Sequence, residues 1–297
     1  MRAPYPIERV EWAYFNWLYS LAVLVNPQAS ATAVENHLSR IKGTSPRPND
    51  VGVMFFACDD RFMARFGYSL ICSCYENARE YGVHVHLYEP STETLRQLES
   101  LRETLPGIDL SYTYEDRVDL GTLPEIGMYY TAFRFLVVKK IIEEARSMIV
   151  CLDADSLVRK SPHHAISCAR LHDVGLYFRL AKHRLNKNIG AFCVLFNNTP
   201  KASRFLDLLC GIAIKFRDRY PRFRSRFYFD QSGLYLSYLL SRLKDRVSFY
   251  TVRDYVIDYE LSDGSCIWTA KGRRKGDAVF LTEGRRMLQK HGQCAAS

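Results

Sequence analysis

The chain has 297 residues, 47% of them hydrophobic and 13% aromatic, with a formal net charge of +9 and a pI near 9.1. A chain of this size and apolarity buries a full core, as one large α/β domain or two small ones, which excludes general disorder; the excess of base predicts anionic partners, among them nucleotide phosphates, acidic glycans, anionic lipid and nucleic acid. Nine cysteines form no C-x-x-C pair, and Cys151, Cys193 and Cys210 sit inside apolar runs, so they read as buried reduced thiols of a cytoplasmic protein.

In chain order, the first feature is the run from Trp12 to Val25. It lacks the charged lead and cleavage site of a signal peptide, is too short to span a bilayer and is interrupted by Asn16 and Ser20. It predicts a helix docked on the domain, with peripheral attachment to an anionic membrane surface as the alternative. Residues 1–43 read as an N-terminal helical segment, 44–50 with their two prolines as a linker, and 51–297 as the main domain. Val51 to Ala57 is a continuous apolar run, as expected of a strand buried on both faces, and Phe62, Phe66 and Leu70 then open a helical period that ends before Gly82. Val83 to Tyr88 predicts a strand, Thr92 to Thr104 a charged amphipathic helix, and Met128 to Ala145 a longer helix leading into the strand Met148 to Leu152. Asp173 to Phe178 and Ala191 to Phe196 predict strands, Lys201 to Phe216 and Ser232 to Leu243 helices, with short strands around Val247 and Cys266. This alternation predicts an α/β fold with a mostly parallel central sheet and helices on both faces. Ligands of such sheets lie beyond the carboxyl ends of strands, so motifs there carry the most weight.

Asp153-Ala154-Asp155 follows the strand ending at Leu152. In extended chain, residues two apart point the same way, so both carboxylates can share one hard cation, Mg²⁺ or Mn²⁺. Leu157, Val158 and Arg159 exclude a calcium-binding EF-hand loop, whereas a solvated turn, a helix cap or an aspartyl nucleophile stay open on the tripeptide alone. Arg134 interrupts an apolar helical face and must meet an anion, either a ligand or an internal acid such as Asp153. Asp230-Gln231 opens a helix, where aspartate is also a plain N-cap. His84 and His86 alternate as metal ligands could, but no further ligand is adjacent, and they read as half-buried strand histidines. Lys215 to Phe227 interleaves basic and aromatic residues, a pattern that could stack on single-stranded nucleic acid; its place just before Asp230 fits an acceptor loop or an anionic-membrane contact as well, and nucleic acid is not the expected partner.

Taken in order, Ala57-Cys58-Asp59-Asp60-Arg61-Phe62, Thr131-Ala132-Phe133-Arg134, Leu152-Asp153-Ala154-Asp155, Asn188-Ile189-Gly190 and Asp230-Gln231 resemble glycosyltransferase family eight, the group of glycogenin and the lipopolysaccharide galactosyl- and glucosyltransferases. The resemblance runs from about Val51 to Lys275 and marks the chain as a divergent member. It implies a GT-A type, Rossmann-like nucleotide-diphospho-sugar transferase. It further implies a UDP-hexose donor (glucose or galactose), Mn²⁺ or Mg²⁺ on Asp153 and Asp155, a glycan or lipid-linked acceptor, and transfer with retention in which the leaving phosphate oxygen takes the acceptor proton. By the same match Ala57, Asp59, Arg61 and Phe62 hold base and ribose, and Arg134 with Ala154 contacts the diphosphate or donor sugar. Asn188 and Gly190 approach the donor sugar, Gly272 and Lys275 contact diphosphate, and Asp230 and Gln231 stand in the catalytic position near the anomeric carbon. Two departures stand out: Phe62 and Arg61 replace the family's tyrosine and asparagine, and Thr269 replaces the histidine that supplies a third metal ligand. Lys271, Arg273 and Arg274 could substitute charge for part of the metal's role. A basic nucleic-acid- or membrane-binding module on a degenerate, inactive transferase fold is the alternative.

Overall fold

The structure, a computed structural model, describes residues 6–23, 27–179, 188–220 and 229–291. The chain enters through helices α1 (Pro6–Val23) and α2 (Pro27–Leu38) and a short strand β1 (Lys42–Gly43). A first parallel run comes next: β2 (Val53–Asp59), α3 (Asp60–Phe62), a π-helical turn (Met63–Gly67), α4 (Tyr68–Asn77), β3 (Gly82–Tyr88), α5 (Thr92–Thr104) and β4 (Leu110–Glu115). Then come α6 (Ile126–Ala145), β5 (Ile149–Leu152), β6 (Ser156–Val158), β7 (Val174–Phe178), β8 (Ile189–Phe196), α7 (Pro200–Asp218), α8 (Phe229–Lys244), β9 (Phe249–Thr251), β10 (Ile257–Asp258), β11 (Ile267–Thr269) and α9 (Ala278–Lys290).

Eight strands form one sheet in the order β1-β4-β3-β2-β5-β8-β7-β9. The pairs β3/β4, β2/β3, β2/β5 and β7/β9 are parallel; β8 runs antiparallel to both its neighbours and β1 antiparallel to β4. The period-two alternation of β2 divides the core. Val53 and Phe55 face a layer with Leu136, Ile141 and Phe205 from α6 and α7, while Met54 and Phe56 face one with Leu70, Leu98 and Met287 from α4, α5 and α9. Helices thus cover both faces of an α/β sheet that is parallel at its centre. On α1, Tyr14, Leu18 and Leu21 recur at helical spacing and are buried in the first layer, where the Tyr14 hydroxyl meets Ser232 Oγ at 3.1 Å. Among the described residues no helix is long and apolar enough to cross a membrane, and every described cysteine is a free thiol.

A second, three-stranded sheet, β10-β11-β6, fixes the chain around Asp155. β6 leaves directly from this residue and pairs antiparallel with β11, Ser156 opposite Thr269, and the Ala270 amide donates to the Asp155 carbonyl at 2.8 Å. The segment after β11 is thereby pinned beside the Asp153-Ala154-Asp155 turn.

The paired histidines are fully buried rather than half-buried. In register with β4, His84 Nδ1 bonds Ser111 Oγ at 2.8 Å and its Nε2 meets Thr113 Oγ1 at 3.0 Å, while His86 Nε2 lies 3.3 Å from Glu115 Oε1. Burial pushes the His84 pKa down to about 3, so the ring is neutral, and its nitrogens are satisfied by side chains of the neighbouring strand. These contacts are core polar packing between β3 and β4.

Candidate functional site

The carboxyl ends of β2 and β5, the first turns of α6 and α8, and the segment after β11 enclose a cleft of about 370 Å³. Nine of the residues singled out in the sequence line it: Ala57, Asp59, Phe62, Arg134, Asp153, Ala154, Asp155, Asp230 and Lys275. They come from the end of β2, from α3, from the middle of α6, from the turn after β5, from the start of α8 and from the segment after β11, and meet at one edge of the sheet.

Asp153 leaves β5 with its amide donating to the Phe192 carbonyl at 3.2 Å. Arg134, 6% exposed, reaches it from α6: Nη1 lies 2.6 Å from Asp153 Oδ1, while Nη2 donates to the Ala191 carbonyl at 2.9 Å and lies 3.6 Å from Asp230 Oδ2. The internal acid that Arg134 needed is thus present twice over, and the guanidinium still lines the cleft. Burial, which disfavours its charge, is outweighed by these carboxylates, and its pKa is raised.

Asp155 is 4% exposed, with Lys275 Nζ 2.6 Å from its Oδ2. Burial first and the charge of Asp153 second push its pKa up to about 6, against the pull of Lys275. The same Lys275 ammonium sits 4.7 Å from the Phe62 ring centroid, tying the turn after β2 to the segment after β11. Asp230 lies in the first turn of α8, where the helix dipole favours an anion, and its Oδ1 accepts the Gln231 amide at 2.8 Å. Burial raises its pKa and Arg134 opposes the rise.

The remaining predicted residues stand around the cleft without lining it. Arg61 is exposed on α3, above Asp59, whose Oδ1 caps that helix by accepting the Phe62 amide at 2.8 Å. Gln231 is half-buried one residue past Asp230. Asn188, also half-buried, accepts the Arg179 amide through its carbonyl at 2.8 Å. Gly272, at φ +58°, makes the left-handed turn that aims the basic segment back at the cleft, a conformation that favours glycine. Gly190 is buried where a Cβ would stand 2.4 Å from Phe192 Cε1 and 3.0 Å from Tyr177 Cδ1. Gly190→Ala should therefore cost about 1–3 kcal/mol in a urea unfolding titration, the usual range for overpacking a core. A loss within error would mean that Phe192 can swing aside. Of the stretch Lys215 to Phe227, residues 221–227 lie outside the described residues.

Three features escaped the sequence reading. Tyr130, one turn ahead of Arg134 on α6, lines the cleft beside the motif residue Thr131 and stacks on Tyr88 at 4.4 Å; its helical spacing from Arg134 was the available signal. Lys271 turns inward, its Nζ 4.4 Å from the Phe192 ring centroid, and burial depresses its pKa against the pull of Asp153. Finally, the Thr269 hydroxyl is wholly buried and has no hydrogen-bond partner among the described residues.

Two oxygen donors two residues apart suit a hard divalent cation, and the mutual repulsion that raises Asp155 is the kind such an ion relieves. Among the described residues, however, no group of three or more His, Cys, Asp or Glu is placed to hold one.

No protein-family model matches the chain, and no curated protein does. Among solved structures it is similar to the glycosyltransferase GlyE of Streptococcus pneumoniae TIGR4, at 12% identity and a TM-score of 0.54 over 84% of this chain and 66% of that one. It is also similar to the galactosyltransferase LgtC in complex with donor and acceptor sugar analogs, at 12% identity and a TM-score of 0.52 over 81% of this chain and 95% of that one. The chain spans slightly less than two thirds of the length of GlyE and nearly all of LgtC. The shared architecture is the GT-A type fold, a sheet with helices around it.

Proposed function

We propose that the protein is a glycosyltransferase of family-eight type, moving a hexose, glucose or galactose, from a UDP-sugar to a hydroxyl of a glycan or lipid-linked acceptor with retention of configuration. The observation that carries this reading is the convergence of Asp153, Asp155, Arg134, Asp230 and Lys275 on one cleft at the carboxyl edge of a GT-A sheet. Three carboxylates and the cations Arg134 and Lys275 line this small volume, with Lys271 near enough to feel Asp153 and Asp230, which suits a ligand that combines negative phosphates with a polyhydroxylated ring.

In this reading the turn from Ala57 to Phe62 holds the nucleoside. The Phe62 ring offers a stacking face, and the Asp59 oxygen not used in capping accepts hydroxyl or imide hydrogens. Asp153 and Asp155 would hold Mn²⁺ or Mg²⁺, which neutralises negative charge gathering on the departing diphosphate. Lys275 moves from Asp155 to phosphate oxygen, and Arg134 keeps Asp153 and Asp230 in fixed orientation. Asp230, ion-paired and buried, accepts donor-sugar hydroxyls and lies beside the anomeric carbon, with Gln231 on the reactive face. No strong protein base is required if the leaving phosphate oxygen takes the acceptor proton.

Incubation with UDP-glucose or UDP-galactose and Mn²⁺ should release free UDP slowly even without acceptor, water taking the acceptor's place. A protein that neither hydrolyses these donors nor binds UDP in the presence of Mn²⁺ does not have this function. Salt-dependent binding of single-stranded RNA in that same protein would point to the basic binding module instead.

A further inference from the structure

The segment Lys271 to Lys275 carries four basic side chains, and the fold sorts them. Arg274 turns outward, its Nη1 bonding the Tyr259 carbonyl and its Nη2 pairing with Glu260. Arg273 is exposed. Lys275 lies on Asp155. Lys271 is half-buried, its ammonium over the Phe192 ring and in the combined field of Asp153, Asp230, Arg134 and Arg179. Unlike Arg134 and Lys275, it makes no direct ion pair with a described carboxylate. A desolvated ammonium held near other cations is unfavourable unless an anion completes its surroundings. It follows β11, which pairs with β6, and Ala270, whose amide bonds the Asp155 carbonyl, so the start of its segment is anchored beside Asp155.

We propose that Lys271 is a diphosphate-binding residue, placed to meet the phosphate oxygens of the donor on the side away from Asp155. The inference rests on the proposed nucleotide-sugar function and extends it: Lys271 and Lys275 approach one diphosphate from two directions, in a site where Thr269 contributes no charged metal ligand. Lysine acts here as a point charge, with no geometric demand beyond proximity.

The test compares UDP with uridine, in the presence of Mn²⁺, by isothermal titration calorimetry on the wild type and on Lys271→Met, with Lys271→Gln as a second neutral variant should Met disturb the fold. Both ligands share the nucleoside, so only the phosphate contact separates them. The neutral variants should lose at least tenfold in UDP affinity while uridine affinity stays within twofold. Lys271→Arg should recover most of the UDP loss, and Arg285→Met, at an exposed position on α9, should bind both ligands as the wild type does. Unchanged UDP binding, or an equal loss for UDP and uridine, would overturn the proposal and leave Lys271 as a counter-charge for Asp153 and Asp230. A wild type that binds no UDP at all would instead remove the function on which the proposal stands.

Discussion

Replacing Asp155 by asparagine should slow donor hydrolysis sharply and, at pH 7, raise the melting temperature. The two effects have one cause. Asp155 is held ionised in a buried place, next to a second carboxylate, and its pKa rises from 3.8 to about 6. A carboxyl group whose folded pKa is raised contributes stability below its unfolded pKa and loses that contribution as pH climbs through the folded value. At pH 7 the ionised group is therefore a cost, on the order of 1–3 kcal/mol at about 1.4 kcal/mol per pKa unit. Asparagine keeps the shape without the charge, and Lys275, whose side chain is 34% exposed, can turn to water. The stability gain of Asp155→Asn over wild type should shrink steadily from pH 7 towards pH 4. Hydrolysis should fall about 10²–10³-fold, the scale seen when one preorganised electrostatic group is removed from an active site. Calorimetric melts across that pH range and a UDP-release assay check the pair of outcomes. A variant that melts lower than wild type at pH 7 would show that the Lys275 ion pair outweighs the burial cost.

The parallel centre of the fold could be read from the sequence because β2 and β5 are continuous apolar runs and β3 alternates with the period of a strand. β4 escaped because its inward residues include Ser111, Thr113 and Glu115, which look solvent-facing until His84 and His86 are seen opposite them. α9 escaped because it buries only Phe280, Gly284, Met287 and Leu288, a narrow stripe that composition does not flag. The reversed direction of β8 has no local signature: Ile189–Phe196 is buried along its whole length, and strand polarity is set by where the chain has come from. In the site, residues next to strand ends could be located from sequence because the end of a strand fixes where they sit. Gln231, Asn188 and Gly190 were placed by family resemblance alone and stand outside the cleft, whereas the inward turn of Lys271 depends on the β6/β11 pairing, a contact between segments more than a hundred residues apart.

Arg134→Met is the substitution expected to cost most stability. Its guanidinium is the only described cation within ion-pair distance of Asp153 or Asp230, and it also satisfies the Ala191 carbonyl. Removing one partner of a buried pair typically costs about 3–5 kcal/mol, because the remaining charge stays desolvated and unpaired. Against a total stability of about 5–15 kcal/mol, that brings a domain close to its folding threshold. The sign of the pH dependence identifies the cause. Burial already raises Asp230, and Arg134 is the main influence holding it down, so without the arginine the Asp230 carboxyl should prefer protonation in the fold. Its raised pKa makes the variant's deficit largest at pH 7 and smaller at pH 5, where this acid accepts a proton and its repulsion with Asp153 fades. A deficit due to lost packing alone would not change with pH. Adding Asp153→Asn to Arg134→Met should restore part of the lost stability at pH 7, since it removes one stranded charge, although Asp153→Asn alone in the wild type should destabilise by weakening the pair. Urea unfolding of the four proteins at both pH values completes the cycle. A purely additive result would mean that Arg134 and Asp153 are independent; a coupling that vanishes at pH 5 would mean that the arginine's structural task is to keep the buried Asp230 carboxylate ionised beside Asp153 for the ligand.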